Sequence, residues 1–307
     1  MSEGVAAIAK VCAVVVTYRP RLESLAAALD SVQVQVQALV VVDNASPDAA
    51  ALAAVIAGRG ATLLGQDSNV GLARAQNIGI EWAREHGFSH VLILDQDSVP
   101  APDMAQQLLA ALQRTGARRR VAAAGPRFHD PREGRDYPFI SVGFPRSTKL
   151  WCDAGNPDIE TDFLISSGSL IPLAVIDEIG TMDEGLFIDN VDMEWSFRAR
   201  SKGFVLLGVC GAVMTHELGD DRQSLLGYAQ VVHGPVRLYY IMRNRVLLYR
   251  LPYTPRIWIA QDLLRLPVKF LIFSVLVAPR LRNTRYMLRG LWDALRSRRG
   301  PCPLEAS

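Results

Sequence analysis

The chain has 307 residues, longer than the usual single domain of roughly 100 to 200, and carries a formal charge of +2 at pH 7. Acidic residues lie mostly before Asp221, whereas the stretch from Arg237 onward is rich in arginine, which suggests an anionic surface near that end; no nucleic-acid partner is expected. The four cysteines, Cys12, Cys152, Cys210 and Cys302, show no spacing suited to zinc or a redox pair, so Cys12 and Cys210 read as small core residues and a reducing compartment is the simpler inference.

The opening MSEGVAAIAK has no basic region ahead of its apolar patch, so it does not read as a signal peptide and the catalytic part is expected in the cytoplasm. Over residues 1–125, apolar runs at 11–17, 38–42, 61–64, 91–94 and 121–125 alternate with helical patterns at 22–31, 49–57, 72–86 and 104–112. Strands alternating with helices of about 10 to 15 residues build βαβ units, so the expected class is α/β, a Rossmann-like, mostly parallel sheet flanked by helices. From 126 to 162 the pattern breaks into Gly, Pro and charge, a length that points to a functional or disordered segment. Residues 163–171 then read as a strand, 189–202 as a helix and 204–215 as two short strands, closing a domain over 1–223 with a first half at 1–125 and a second at 126–223.

Residues 224–307 read as a helical extension, with helices at 225–250, 256–277 and 284–296 separated by Pro252, Pro255 and Pro279. The apolar run 270–278 falls short of the roughly 20 residues that span a bilayer. Two readings stay open for this region: peripheral contact with the cytoplasmic face of the inner membrane, or a hairpin packed on the core or in a homo-oligomer.

Ligands of an open α/β sheet bind at the carboxyl ends of its strands. The first run ends in VVVTYRP (14–20) and the second in VVVDNAS (40–46), placing Asp43 to accept from a base or ribose while Thr17 and Tyr18 line the edge. The G-x-G-x-x-G of a dinucleotide fold is absent, which disfavours a dehydrogenase. In DSNVGLARAQNIG (67–79), Gly71, Ala75 and Gly79 recur every four residues, as close helix packing requires; Asn69 and Asn77 need another explanation. The run at 91–94 leads into LDQDSVP (94–100). Asp95 and Asp97 can hold a hard divalent cation at the mouth of the crevice, although alone they also fit a solvated turn before a helix.

These four motifs, in this order, resemble glycosyltransferase family two, the inverting GT-A enzymes that use nucleotide-sugar donors, over about residues 11–216. The resemblance implies that Thr17, Tyr18, Arg19, Asp43, Asn44 and Ser46 hold the nucleotide, with Asn69 and Gly71 beside the base. It also implies that Asp95 and Asp97 bind Mg2+ or Mn2+, Asp97 directly and Asp95 nearer the sugar or ribose. FIDNVDMEWSFR (187–198) is similar to the family's general-base helix, and alignment by Glu194 and Arg198 puts Asp192 at the base position. Val191 stands where the family usually has Glu, which keeps Asp189 as a fallback base. Glu194 and Arg198, four apart, read as a helix-surface ion pair. His216 matches a further metal ligand, and Arg243 and Arg245 match basic residues that approach the diphosphate.

Within the family, LDQDS, FLISSGSLIP (163–172), FIDNVDMEW and MRNRVLL most resemble bacterial dTDP-rhamnose-dependent rhamnosyltransferases. The implied reaction moves L-rhamnose from dTDP-β-L-rhamnose to a hydroxyl of a glycan or lipid-linked glycan in cell-surface polysaccharide synthesis, with Ser166, Ser167 and Gly168 facing the acceptor. A family member using another nucleotide sugar, and a noncatalytic nucleotide- or carbohydrate-binding scaffold, are the alternatives. A sugar nucleotidyltransferase would need a Gly-rich loop after the first strand, where TYRPRLES stands instead.

Overall fold

The computed structural model describes residues 9–131, 134–153, 155–215, 221–225 and 228–304. The first part alternates as expected: β1 (Val11–Thr17), α1 (Leu22–Gln33), β2 (Ala38–Asp43), α2 (Ala49–Ala57), β3 (Thr62–Gly65), α3 (Leu72–Glu85), β4 (His90–Asp95), the short β5 (Val99–Pro100), α4 (Met104–Gly116) and β6 (Val121–Asp130). Next come β7 (Arg135–Asp136), β8 (Phe139–Ser141), β9 (Thr148–Leu150), β10 (Asp158–Thr161), β11 (Leu170–Pro172), α5 (Leu173–Ile179) and a 3-10 turn at Glu184–Leu186. Then follow α6 (Val191–Ser201), β12 (Val205–Thr215), β13 (Asp221–Leu225), β14 (Tyr228–Val232), α7 (Pro235–Tyr249), α8 (Arg256–Val275) and α9 (Arg280–Leu295).

The main sheet runs β10-β12-β6-β11-β4-β1-β2-β3. Strands β4, β1, β2 and β3 are mutually parallel, as are β6 and β12, while β11 runs antiparallel between β4 and β6. All seven residues of β1 are buried, because alternate side chains enter two different cores. Cys12, Val14 and Val16 pack with α3 and α6, whereas Ala13 and Val15 pack with α1, α2 and α4. Chain order reverses at β1, which lies between β2 and β4, so the crevice forms at the carboxyl ends of these three strands.

Four expectations change. Residues 163–169 form a turn, and only Leu170–Pro172 is strand. Residues 204–215 make one long strand, interrupted in register between Val209 and Val213, instead of two. The helix expected from residue 225 begins at Pro235, whose ring suits the first helical position, and β13 and β14 pair as an antiparallel ladder before it. Cys210 is bonded to Cys152, so it is not a lone core residue; the bond ties the segment after β9 to β12 across 58 positions, and the cysteine pattern no longer argues for a reducing compartment.

The C-terminal helices share the main core: Leu247, Leu248, Trp258 and Ala294 pack in the same cluster as Trp195 and Phe197 of α6. α7 and α9 meet so closely that a Cβ on Gly290 would lie 2.4 Å from the Tyr239 carbonyl oxygen. Among the described residues, no helix is long and apolar enough to cross a membrane.

Candidate active site

At the carboxyl edge, the loops after β1, β2 and β4 are stitched together. Thr17 Oγ1 and Ser46 Oγ donate to Asp43 Oδ1 at 2.8 and 2.6 Å, and the Ser46 N–H donates to Oδ2 at 2.8 Å. Three of the roughly four acceptor positions of the Asp43 carboxylate are thereby used within the loop, leaving room for one outside donor. The Arg19 N–H donates to Ser46 Oγ and the Tyr18 N–H to Gln96 Oε1, so the residue between the two aspartates fixes the neighbouring loop. Arg19, at φ 49°, places its guanidinium over the Tyr18 ring, and both side chains are exposed.

Opposite them, Asn44 Oδ1 accepts from the Val70 N–H and Asn69 Oδ1 from the Gly71 N–H. Asn69 thus shapes the turn that starts α3. Gly71, at φ 88°, lies where a Cβ would strike the Phe187 ring at 2.6 Å, and a Cβ on Gly79 would come within 2.2 Å of Val14. Close packing accounts for both glycines. Asn77 is a latch: its Oδ1 accepts from the Met182 N–H at 2.9 Å and its amide donates to the Met182 carbonyl at 3.0 Å.

Asp97 is exposed at the edge and Asp95 partly so. Beneath them the Asp95 N–H donates to Ser167 Oγ at 2.9 Å, and Ser167 Oγ lies 2.8 Å from Ser98 Oγ. Ser167 is wholly buried, and Gly168, at φ 79°, packs where a Cβ would meet Pro126 at 2.6 Å. Expected to face the acceptor, Ser167 and Gly168 instead brace the Asp95 turn from below. Only Ser166 of the three lines a small cavity with Asp192, and it receives a hydrogen bond from the buried Gln76. Among the described residues Gln76 Oε1 has no hydrogen-bond partner.

Asp192 stands in the first turn of α6. Burial pushes its carboxyl up to about 6, and the charges of Asp189 and Asp95 add to the shift, while the Met193 N–H, donating at 2.8 Å, opposes it. The general-base candidate therefore sits within electrostatic reach of the cation-binding candidate. Asp189, the fallback, is paired with Arg237 at 3.1 Å.

The segment leading to Asp192 is strained: Phe187, Asp189 and Asn190 have φ of 67°, 62° and 64°. Such conformations persist where the surroundings over-determine them. Here α7 does so. Asn244 donates to the carbonyls of Leu186, Ile188 and Asp189 at 2.7 to 2.9 Å, and Arg243 to those of Gly185, Leu186 and Gly300. Arg243 is fully buried, and Arg245 is paired with the buried Asp262 at 2.6 Å. Both were expected beside a diphosphate; here Arg243 spends its donors on the main chain, since a guanidinium taken out of water must satisfy them nearby, while the partly exposed Arg245 keeps its ion pair with Asp262. The Glu194–Arg198 pair forms as expected but lies inside the protein, with Glu194 1% exposed, and Arg198 also donates to the carbonyls of Ile179 and Thr181.

Asp95 and Asp97 offer hard oxygen donors suited to Mg2+ or Mn2+, and such ions complete their shells with phosphate oxygens and water. Among the described residues no cluster of three or more His, Cys, Asp or Glu forms, and His216 lies outside them. Sequence reasoning missed Asn244, Gln76 and the loop strain; the one available signal was the polar pair Arg243-Asn244 inside an apolar helix.

Residues 12–163 match the family described as Glycosyl transferase family 2. The dTDP-rhamnosyl transferase RfbF of Shigella flexneri is 30% identical over 304 residues, covering 94% of this chain and 95% of that protein. S. aureus TarS 1-349 in complex with UDP-GlcNAc has the same fold, with a TM-score of 0.57 at 16% identity over 94% of this chain and 81% of that one. So does GalNAc-T7 with UDP, GalNAc and Mn2+, with a TM-score of 0.57 at 13% identity over 95% of this chain and 56% of that one. The GT-A arrangement of the sheet, the family match and the end-to-end relative together make this chain a member of glycosyl transferase family 2, an enzyme that uses a nucleotide sugar.

Proposed function

We propose that the enzyme is an inverting rhamnosyltransferase, moving L-rhamnose from dTDP-β-L-rhamnose to a hydroxyl of a glycan or lipid-linked glycan acceptor in cell-surface polysaccharide synthesis. The observation that carries the chemistry is the raised carboxyl of Asp192 lying within electrostatic reach of Asp95 at the carboxyl edge of the sheet. The end-to-end relative supports the choice of donor. Asp192 takes the proton of the acceptor hydroxyl as its oxygen attacks the anomeric carbon, and the bond to the diphosphate breaks on the opposite face. Thr17, Tyr18, Arg19, Asp43, Asn44, Ser46, Asn69 and Gly71 form the nucleotide side of the crevice. Asp97 and Asp95 would hold Mg2+ or Mn2+, with His216 a further candidate ligand, and the ion would supply charge for the leaving diphosphate. Ser166 stands beside the base on the acceptor side. Compartment follows the donor: nucleotide sugars are cytoplasmic products, and the reducing conditions there would open the Cys152–Cys210 bond.

The test is a donor panel with purified protein and Mn2+ or Mg2+. Transfer or hydrolysis of dTDP-rhamnose is expected, with Asp97→Ala losing most activity. No turnover of dTDP-rhamnose alongside turnover of another nucleotide sugar would reassign the donor. Full activity in Asp97→Ala would remove the cation from the scheme.

A further inference from the structure

Most of the large apolar side chains that stand exposed among the described residues lie between Ile257 and Leu295. On α8, Ile257, Leu264, Val268, Leu271 and Val275 are exposed, Leu264 to 76%. At 100° per residue they fall in one stripe about 60° wide, opposite the face that buries Trp258, Leu266 and Phe273, with the exposed Leu263 outside it. α9 repeats the arrangement: Leu281, Leu288, Trp292 and Leu295 share a stripe about 60° wide, with Leu281 exposed to 89%, opposite the buried Tyr286, Met287 and Ala294.

Charge decides what covers these stripes. Asp262 and Asp293 are the two carboxylates between Arg256 and Arg299, and both are buried, at 3% and 1% exposure. Each is occupied: Asp262 by Arg245 and Tyr249, Asp293 by Arg289 and Tyr239. Arg256, Arg265, Arg280, Arg282, Arg285 and Arg296, by contrast, are all exposed. On α8, Arg256 and Arg265 flank the stripe; on α9, Arg285 stands at its edge. A second copy would bring the same cations face to face, whereas an anionic surface complements them. Among the described residues neither helix is long and apolar enough to cross a membrane.

We propose that α8 and α9 dock this protein on an anionic lipid bilayer, lying in the plane of the interface with their leucine stripes among the acyl chains and their arginines at the headgroups. The other side of the same helical unit grips the segment before Asp192, through Arg243 and Asn244 and through the Gly300 N–H donating to the Gly185 carbonyl. Docking therefore holds the base at a fixed height above the surface, where a lipid-linked acceptor presents its hydroxyl. That consequence rests on the rhamnosyl-transfer reading; the docking itself does not.

The full chain is sedimented with sucrose-loaded vesicles of phosphatidylcholine alone or with phosphatidylglycerol added. Binding to the anionic vesicles should exceed that to neutral ones by about tenfold or more and weaken with salt. Leu264→Glu with Leu271→Glu should lower binding about tenfold, and Arg282→Glu with Arg285→Glu should abolish the preference for anionic lipid. Both pairs are exposed, so unchanged melting temperature and donor hydrolysis check that the variants fold. Equal sedimentation of the wild type and the leucine variant overturns the proposal, as does a solution dimer that the same substitutions dissolve. Vesicle binding without rhamnosyl transfer would leave docking intact and fault the donor reading.

Discussion

Asp192 is a carboxyl that its surroundings hold near 6, against an ordinary value of 3.8. A base must be ionised to accept a proton, so transfer should fall as pH drops through about 6, and Asp192→Asn should lower kcat about 100-fold or more while donor binding survives. Comparing a pH–rate profile with a donor titration checks both. The sign for stability is the reverse. Because the folded value is raised, the ionised group costs stability above about pH 6 and nothing below about pH 3.8, so Asp192→Asn should stabilise the metal-free protein at pH 7.5 by about 1–3 kcal/mol, with little effect at pH 4. Arg243 offers a second test. Removing a buried guanidinium takes the donor from the Gly300 carbonyl and from Asn244 Oδ1, so Arg243→Ala should cost about 3 kcal/mol or more and lower the urea midpoint. A diphosphate ligand would raise the donor KM with the midpoint unchanged. At this scale the strand ends at the crevice were legible, because Thr17, Asp43 and Asp95 end apolar runs. The duties of Asn77, Arg243 and Asn244 were not, because their partners are main-chain carbonyls and N–H groups more than fifty residues away in each case, which leave no trace in the sequence.

Among elements, α3 was read best. Its small residues lie against β1, and Gly79→Ala should cost about 1–3 kcal/mol by driving a methyl into Val14, measurable by urea denaturation. Gly116 in α4 is the control: a Cβ there meets nothing within 4 Å, so Gly116→Ala should be neutral or stabilise by up to about 1 kcal/mol. β1, β2 and β4 were legible because strands buried on both faces must be continuous hydrophobe. The stretch from Arg135 to Thr161 was not, since β7 to β10 are two to four residues long and gain their pairing from β6, β12 and one another. The 163–169 segment misled for a related reason: its hydrophobes Phe163 to Ile165 resemble a strand, yet the turn at Ser166–Gly168 is needed to support Asp95.

For the whole molecule, the Cys152–Cys210 bond ties the β8–β9 hairpin to the main sheet, and Cys152→Ser should cost about 2–4 kcal/mol under oxidising conditions, a loss that dithiothreitol should reproduce in the wild type. The C-terminal helices read in sequence as an appendage, yet they complete the core beside α6 and clamp the segment that leads to Asp192. By itself the sequence determined the α/β class and the order of strand-end motifs, because local hydrophobic periodicity and side-chain type suffice for these, and the resemblance those motifs carry implied the glycosyltransferase chemistry. Tertiary structure alone decided which polar residues face the crevice and which hold it in shape. It also decided how Asp192 comes to be near Asp95, since long-range packing sets burial, and burial sets both the partners of Arg243 and the protonation of Asp192.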